Sequence, residues 1–267
     1  MPNLSESIAS EPIRLLAYGM TGAGKTCLWG EMSRHEEFDP IYCMDFDLRI
    51  GGLRARLTSE EMARVHHDPF RDVNLQGEAY RAALSIANNP GALDAKYGIK
   101  FQTLVVDSQT FMGKSVMAGV LMLDGNKAAT TNPQLQHYMS YQSLQEEFIS
   151  KLCASGRHVV VTCHEDSQKD EVIGRLFKNV DLVGKSANRI PGYFNEFWHC
   201  ELRQAAGKEP EYVVRVRSDV IYMARTSYSS LSAVEAQGDV WKKILAERTA
   251  IARTAITQHP KCQVKLT

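Results

Sequence analysis

Apolar positions along the chain gather into four short runs set in polar sequence. Ile13 to Tyr18 follows Pro12 and leads into a glycine-rich stretch. Ile41 to Met44 ends in Asp45-Phe46-Asp47, Phe101 to Val106 in Asp107-Ser108, and His158 to Cys163 in His164. Short apolar runs bounded by turn residues fit strands buried on both faces. Between them, Lys25 to about His35 reads as a helix. The sequence after the second run is polar and helical to about Asn89, and Asn89-Pro90-Gly91 marks a turn. Residues 124 to 133 read as an exposed loop. From Gln134 to Ala154, Tyr138, Tyr141, Leu144, Phe148 and Leu152 recur at three- and four-residue spacing, which predicts a helix that Gly156 ends.

The last third has a different pattern. Residues 165 to 192 are polar and basic and read as a long excursion. Phe197 to Leu202 and Tyr212 to Ser218 alternate like paired antiparallel strands, and Ile221 to Arg225 reads as a last short strand. A helix over about Val240 to Ile256 and a polar tail follow. Strand and helix alternate as far as residue 163, which predicts an α/β fold: a mostly parallel sheet flanked by helices, with antiparallel strands at its C-terminal side. The expected organisation is an N-terminal tail over 1–11, a core over 12–226, and a C-terminal helix and tail over 227–267.

Composition narrows the field. The 267 residues suit one large domain, and 44% apolar content suffices for a core. With 31 basic and 31 acidic side chains the net charge is zero. A strongly electrostatic nucleic-acid binder is usually basic, so nucleic-acid contact here needs a local patch or an assembly that aligns patches. The six cysteines form no Cys-x-x-Cys pair and read as reduced thiols of a cytoplasmic protein. The polar N-terminus is not a signal peptide, and no apolar run reaches the roughly 18 residues of a membrane helix.

The chemistry concentrates at residues 19 to 26, where Gly19, Gly24, Lys25 and Thr26 satisfy G-x-x-x-x-G-K-[ST]. Glycines let the backbone of Gly19, Met20, Thr21, Gly22, Ala23 and Gly24 wrap around phosphate with N–H groups inward, and the helix through Lys25, Thr26 and Cys27 adds its positive end. Lys25 would reach the β- and γ-oxygens, and the Thr26 hydroxyl would bind magnesium. A chance match is expected about once in a hundred chains of this length. The apolar strand before it and the helix after it sharpen the match.

Phe101 to Asp107 has the form of a Walker B strand, with Asp107 orienting a magnesium-bound water near Thr26. Ser108 follows where many P-loop ATPases of the AAA+ type carry a catalytic Glu, so a water-activating carboxylate must come from elsewhere. Asp45 and Asp47 close the second strand at the same sheet edge. Asp47 is favoured to orient the attacking water, against an Asx-turn or a salt bridge to Arg49. His164, after the fourth strand, is placed to sense the γ-phosphate.

On four stretches taken in order, GMTGAGKT, CMDFDLRIGGL, TLVVDSQT and HVVVTCHED, residues 12 to 226 resemble the RecA-like ATPase group. The resemblance is closer to phage-encoded AAA-domain proteins, which include core-only RecA-type recombination proteins of the single-strand-annealing kind. It implies a RecA fold, ATP as nucleotide and magnesium as cofactor. It also implies a homo-oligomer in the host cytoplasm, acting on single-stranded DNA with a single-strand-binding protein. The family's water-activating Glu falls on Asp47, one methylene shorter. The sensor falls on His164, and the basic residue that reaches a neighbour's nucleotide falls on Arg225. No Asn-Lys-x-Asp guanine motif is present, which argues against GTP.

In RecA-like proteins the loops after the third and fourth strands contact DNA. Those correspond to about 109–133 and 165–192, the latter with Lys169, Arg175, Lys178, Lys185 and Arg189 ahead of Tyr193, Phe194 and Trp198. The acids from Glu165 to Glu171 dilute that charge. The leading reading is an ATPase in DNA recombination. Ser108 and Asp47 in place of glutamates motivate an alternative, a nucleotide-gated assembly or regulatory module with little turnover. A small-molecule kinase, with Arg49, Arg54 and Arg56 as its lid, is a third reading.

Overall fold

The structure, a computed structural model, describes residues 8, 10–125, 132–169, 174–204 and 206–258. Its strands are β1 (Arg14–Gly19), β2 (Ile41–Asp45), β3 (Val65–Pro69), β4 (Thr103–Asp107), β5 (His158–Lys169), β6 (Leu176–Val180), β7 (Glu196–Arg203), β8 (Glu211–Arg215) and β9 (Val234–Ala236). The helices are α1 (Lys25–Gly30), α2 (Ser59–Ala63), α3 (Glu78–Asn88), α4 (Pro90–Tyr97), α5 (Gln109–Leu123), α6 (Leu135–Cys153), α7 (Ser186–Arg189) and α8 (Gln237–Gln258). The strands lie in the order β3-β2-β4-β5-β1-β7-β8-β9, with β6 on β5. Pairing is parallel from β3 through β7 and antiparallel for β7–β8, β8–β9 and β5–β6. This is the expected mostly parallel sheet with antiparallel C-terminal strands.

Alternate side chains of the central strands enter two different cores, because successive residues of a strand face opposite ways. Leu16, Tyr18, Met44, Val106 and Val161 pack with Ala83 of α3, Met112 and Val116 of α5 and Phe148 of α6. Leu15, Ala17, Cys43, Val105 and Val160 pack on the other face with Leu28 and Trp29 of α1 and Trp241 and Ile244 of α8. Helices therefore cover both faces, which is why these strands are apolar throughout. Trp241 of α8 packs at 5.4 Å on Trp198 of β7, so the C-terminal helix shares the second core.

Parallel pairing puts the functional strand ends on one edge. Asp45 lies opposite Asp107, and Gly19 opposite His164. β1, β2 and β4 end where the glycine-rich loop begins, and β5 passes the same point at His164 before running on to Lys169; this is the crevice in which open α/β sheets bind ligands.

Several expectations need correction. The polar stretch before Asn89 contains strand β3, Val-His-His-Asp-Pro, whose single neighbour β2 leaves it a partly exposed edge. Asn89-Pro90-Gly91 is not a free turn: the Asn89 side chain accepts from Ala92 N and Pro90 begins α4. The predicted DNA loop over 109–133 is helix α5 as far as Leu123, capped by the Ser108 hydroxyl, and residues 126–131 lie outside the described residues. The excursion over 165–192 holds the rest of β5, then β6 and α7; Asp170 and Glu171 lie outside the described residues. Ile221 to Arg225 makes only isolated bridges, Lys178 to Tyr222 and Phe197 to Arg225, and the last strand is β9.

Candidate functional site

The loop after β1 is held from three sides. Gly19 passes so close to β7 that a Cβ there would stand 2.3 Å from the Cys200 carbonyl oxygen. Gly24 has a φ of +83°, and a Cβ would meet the Tyr212 and Gln237 side chains at 2.7 Å. From α8, Gln237 Nε2 donates to Ala23 O at 3.0 Å, and Trp241 Nε1 donates to Leu28 O at 2.7 Å. Lys25 is buried and its Nζ donates to Gly19 O at 2.8 Å and Met20 O at 2.9 Å. The Met20 side chain is exposed. The amides of Gly22, Gly24, Lys25 and Thr26 find no acceptor among the described residues.

Asp107 lies beside this loop. Its Oδ2 accepts from Thr26 Oγ1 at 2.8 Å and Trp29 Nε1 at 3.1 Å, and its Oδ1 accepts from Thr162 Oγ1 at 2.5 Å. Burial raises its pKa and the Asp47 charge adds to the rise; the three donors oppose it. The two carboxylates of β2's end have separate duties. Asp45 is buried and its Oδ1 accepts from Leu48 N at 2.7 Å, holding the turn. Asp47 Oδ1 accepts from Ser108 N at 3.1 Å and Ser108 Oγ at 2.6 Å. Its Oδ2 stands 3.4 Å from His164 Nε2, too poorly aimed for a hydrogen bond. Burial works to raise Asp47, but His164, Ser108 and the Lys25 charge outweigh it and hold the carboxyl below its usual range. His164 Nδ1 lies 3.3 Å from Thr21 Oγ1, so the ring bridges the phosphate loop and Asp47.

These groups line one cleft of about 270 Å³, formed by Thr21, Gly22, Gly24, Lys25, Thr26, Cys27, Asp47, Asp107 and His164 together with Arg49, Gly52, Ala55, Arg56 and Tyr212. Sequence reasoning missed Tyr212, Trp29 and Thr162 as site residues, and Arg49 and Arg56 as parts of this cleft. The Arg56 guanidinium lies 4.5 Å above the Tyr212 ring, beside Cys27. Burial pushes the Cys27 thiol up, against the lowering effect of Arg56. Arg225 is elsewhere. Its Nη2 donates to Pro191 O at 2.9 Å and Phe194 O at 2.7 Å, on the outer side of β7.

The basic residues considered for DNA are partly consumed by ion pairs, Lys178 with Glu165 at 2.9 Å and Arg189 with Glu146 at 3.2 Å. Arg175 donates to Asp219 O at 3.1 Å. Phe194 and Trp198 are core residues. No helix among the described residues is long and apolar enough to cross a membrane.

The residues fit a triphosphate with a divalent cation. Unpartnered amides and a buried lysine face the cleft, and a hydroxyl–carboxylate pair 2.8 Å apart is the donor set of a hard, oxygen-seeking ion.

Among solved structures, the chain is similar to "Crystal structure of the RadB recombinase" at 14% identity and a TM-score of 0.43, covering 76% of this chain and 79% of that one. It is also similar to "Structural and biochemical analysis of a prototypical ATPase from the type III secretion system of pathogenic bacteria" at 12% identity and a TM-score of 0.43. That match covers 71% of this chain and 52% of the ATPase, about half its length. A comparison with curated proteins finds no match. The family described as "AAA domain" matches residues 11–228, most of the molecule and all of the cleft's motifs, and the chain belongs to that family.

Proposed function

We propose that this chain is a magnesium-dependent ATPase, and that the 2.8 Å contact between Thr26 and Asp107 beside the buried Lys25 carries the reading. The free amides of Gly22, Gly24, Lys25 and Thr26 would take the phosphate oxygens, and Lys25 would leave the Gly19 and Met20 carbonyls for the β- and γ-phosphates. Thr26 and Asp107 would hold the cation, Asp107 through a water. When bound, magnesium neutralises charge on the phosphates as it builds in the transition state. Asp47, ionised and fixed by Ser108, would orient the attacking water and accept its proton. His164 spans Thr21 and Asp47, a position from which it would respond to the γ-phosphate. Tyr212 and Arg56 give the nucleoside a flat wall beyond Cys27.

The resemblance of the four motif stretches extends this reading to recombination on single-stranded DNA, with a single-strand-binding protein and further copies of the chain as partners. Arg225, on an outer surface, would act on a neighbour's nucleotide in such an assembly. One observation favours the slower alternative, a nucleotide-gated module: Asp47 Oδ1 already accepts two bonds from Ser108.

Phosphate release measured with and without single-stranded DNA tests the proposal. Lys25→Ala is expected to abolish tight ATP binding. Asp47→Asn is expected to keep binding and lose turnover, about 10²-fold or more. Unchanged turnover in Asp47→Asn would remove Asp47 from the mechanism, and wild type without magnesium-dependent nucleotide affinity would remove the proposal.

A further inference from the structure

Asp47 and Arg49 are two residues apart, and both line the phosphate cleft. Leu48 stands between them. It has a φ of +56°, a conformation non-glycine residues rarely adopt, and its amide is fixed by Asp45 Oδ1 at 2.7 Å. The left-handed residue makes a tight turn between them, and the Leu48 side chain is exposed. Strain of this kind recurs at functional sites.

Arg49 and Arg54 both lack a side-chain partner among the described residues, and of the two only Arg49 lines the phosphate cleft. Arg34 and Arg64 pair with acids, and Arg56 stacks on Tyr212. The Arg49 side chain is exposed at the cleft and makes no hydrogen bond, ion pair or ring contact among the described residues. In particular it leaves Asp47 to Ser108 and His164. A guanidinium that is always charged, carries a planar fork of donors and is held free beside a phosphate loop suits a phosphoryl group.

Building on the nucleotide reading above, we propose that Arg49 is a catalytic cation supplied by the chain to its own site, reaching the γ-phosphate from the cleft lining it shares with Lys25 and Asp47. Its place beside Asp47 puts it at the end of the cleft where the attacked phosphorus would lie. Arg56, next to Cys27, is at the nucleoside end. The charge that grows on the γ-phosphoryl oxygens in the transition state is then met by a resident arginine, in addition to any contact that Arg225 of a neighbouring copy makes.

The test compares wild type, Arg49→Ala, Arg49→Lys and Arg54→Ala. Arg54 is exposed on the same segment but outside the cleft. Binding of MgADP, and of MgADP with fluoroaluminate as a mimic of the transferring phosphoryl, is titrated for each. Arg49→Ala is expected to keep MgADP affinity within about threefold and to lose analogue affinity by about 100-fold or more, since an arginine in this role is worth about 10³–10⁵ in rate. Arg49→Lys recovers part of the loss, and Arg54→Ala behaves as wild type. Equal analogue affinity in wild type and Arg49→Ala, or the same loss in Arg54→Ala, overturns the inference. Phosphate release from a mixture of Arg49→Ala with Lys25→Ala protein separates cis from trans action. Activity no greater than that of the separate proteins supports a resident arginine, and restored activity overturns it. Wild type that binds neither MgADP nor its fluoroaluminate complex would sink the nucleotide reading itself, and this inference with it.

Discussion

Asp107 accepts hydrogen bonds from Thr26, Trp29 and Thr162 while almost wholly buried. Burial and the neighbouring Asp47 raise its pKa, so its ionised form destabilises the ligand-free fold increasingly as pH rises through that pKa. A divalent cation reverses the balance by favouring the charged carboxylate. Asp107→Asn is therefore expected to melt higher than wild type without ligand at pH 7 to 8, by a few degrees at about 2–4 °C per kcal/mol for this size. Magnesium nucleotide, which should raise the wild-type midpoint, should no longer raise that of the variant. A lower ligand-free midpoint would show that the hydrogen bonds outweigh the buried charge. His158 gives the clearest pH effect. Its Nδ1 accepts from Ile13 N at 3.0 Å at the start of β1, and burial, aided by the Arg248 charge, lowers its pKa to about 4. The unfolded chain binds the proton nearer pH 6.5, so the stability due to neutral His158 is full above that pH. It is lost as pH falls towards 4, by up to about 3 kcal/mol. Denaturant midpoints of wild type and His158→Gln, compared from pH 7 to 4, should converge as the pH falls; parallel curves would exclude His158 as the source.

At the scale of elements, the phosphate loop depends on a helix more than 200 residues away in sequence. Gln237 and Trp241 of α8 hold Ala23 and Leu28 on either side of Lys25. Gln237→Ala removes a buried hydrogen bond worth about 0.5–1.5 kcal/mol and leaves the Ala23 carbonyl unpaired. Nucleotide affinity is expected to fall about 2- to 10-fold, measured by titration, with the circular dichroism spectrum unchanged; wild-type affinity would show that the loop keeps its shape without α8. This clamp was not legible in the sequence, because nothing in Ala-Gln-Gly-Asp-Val-Trp marks a partner so distant. Legibility followed burial. β1, β2, β4 and the first half of β5 are buried on both faces and show as apolar runs. The edge strand β3, the outer half of β5 and the three residues of β9 have too few buried positions to show a pattern. Helix α5 is buried broadly between the sheet, α3 and α6, so it lacks the polar face that would have announced it. In the site, Lys25, Thr26, Asp47, Asp107 and His164 were visible because motif spacing or a strand end marks them. Thr162 hides inside an apolar run, and Tyr212 comes from a strand whose closeness to Gly24 only the fold creates.

The whole molecule is electrically balanced, and this bears on the proposed DNA role. Lys178 and Arg189 are in ion pairs, while Lys169 and Lys185 are exposed without one among the described residues. Each phosphate neutralised on a single strand changes the slope of log K against log salt by about −0.7. If these two lysines make the contact, a single copy should show a slope of only about −1.4, and hence weak binding at physiological salt. A nucleotide-dependent assembly would repeat the pair along the strand and steepen the slope with the number of copies engaged. Anisotropy titrations of a labelled single-stranded oligonucleotide over a range of salt, with and without MgATP, should therefore give a shallow slope without nucleotide and a steeper one with it. Sedimentation under the same conditions should show the larger species. In the Lys169→Ala, Lys185→Ala variant the slope without nucleotide should approach zero. An unchanged slope in that variant would move the DNA contact to another surface, and no binding under any of these conditions would leave the proposed ATPase without DNA as its partner.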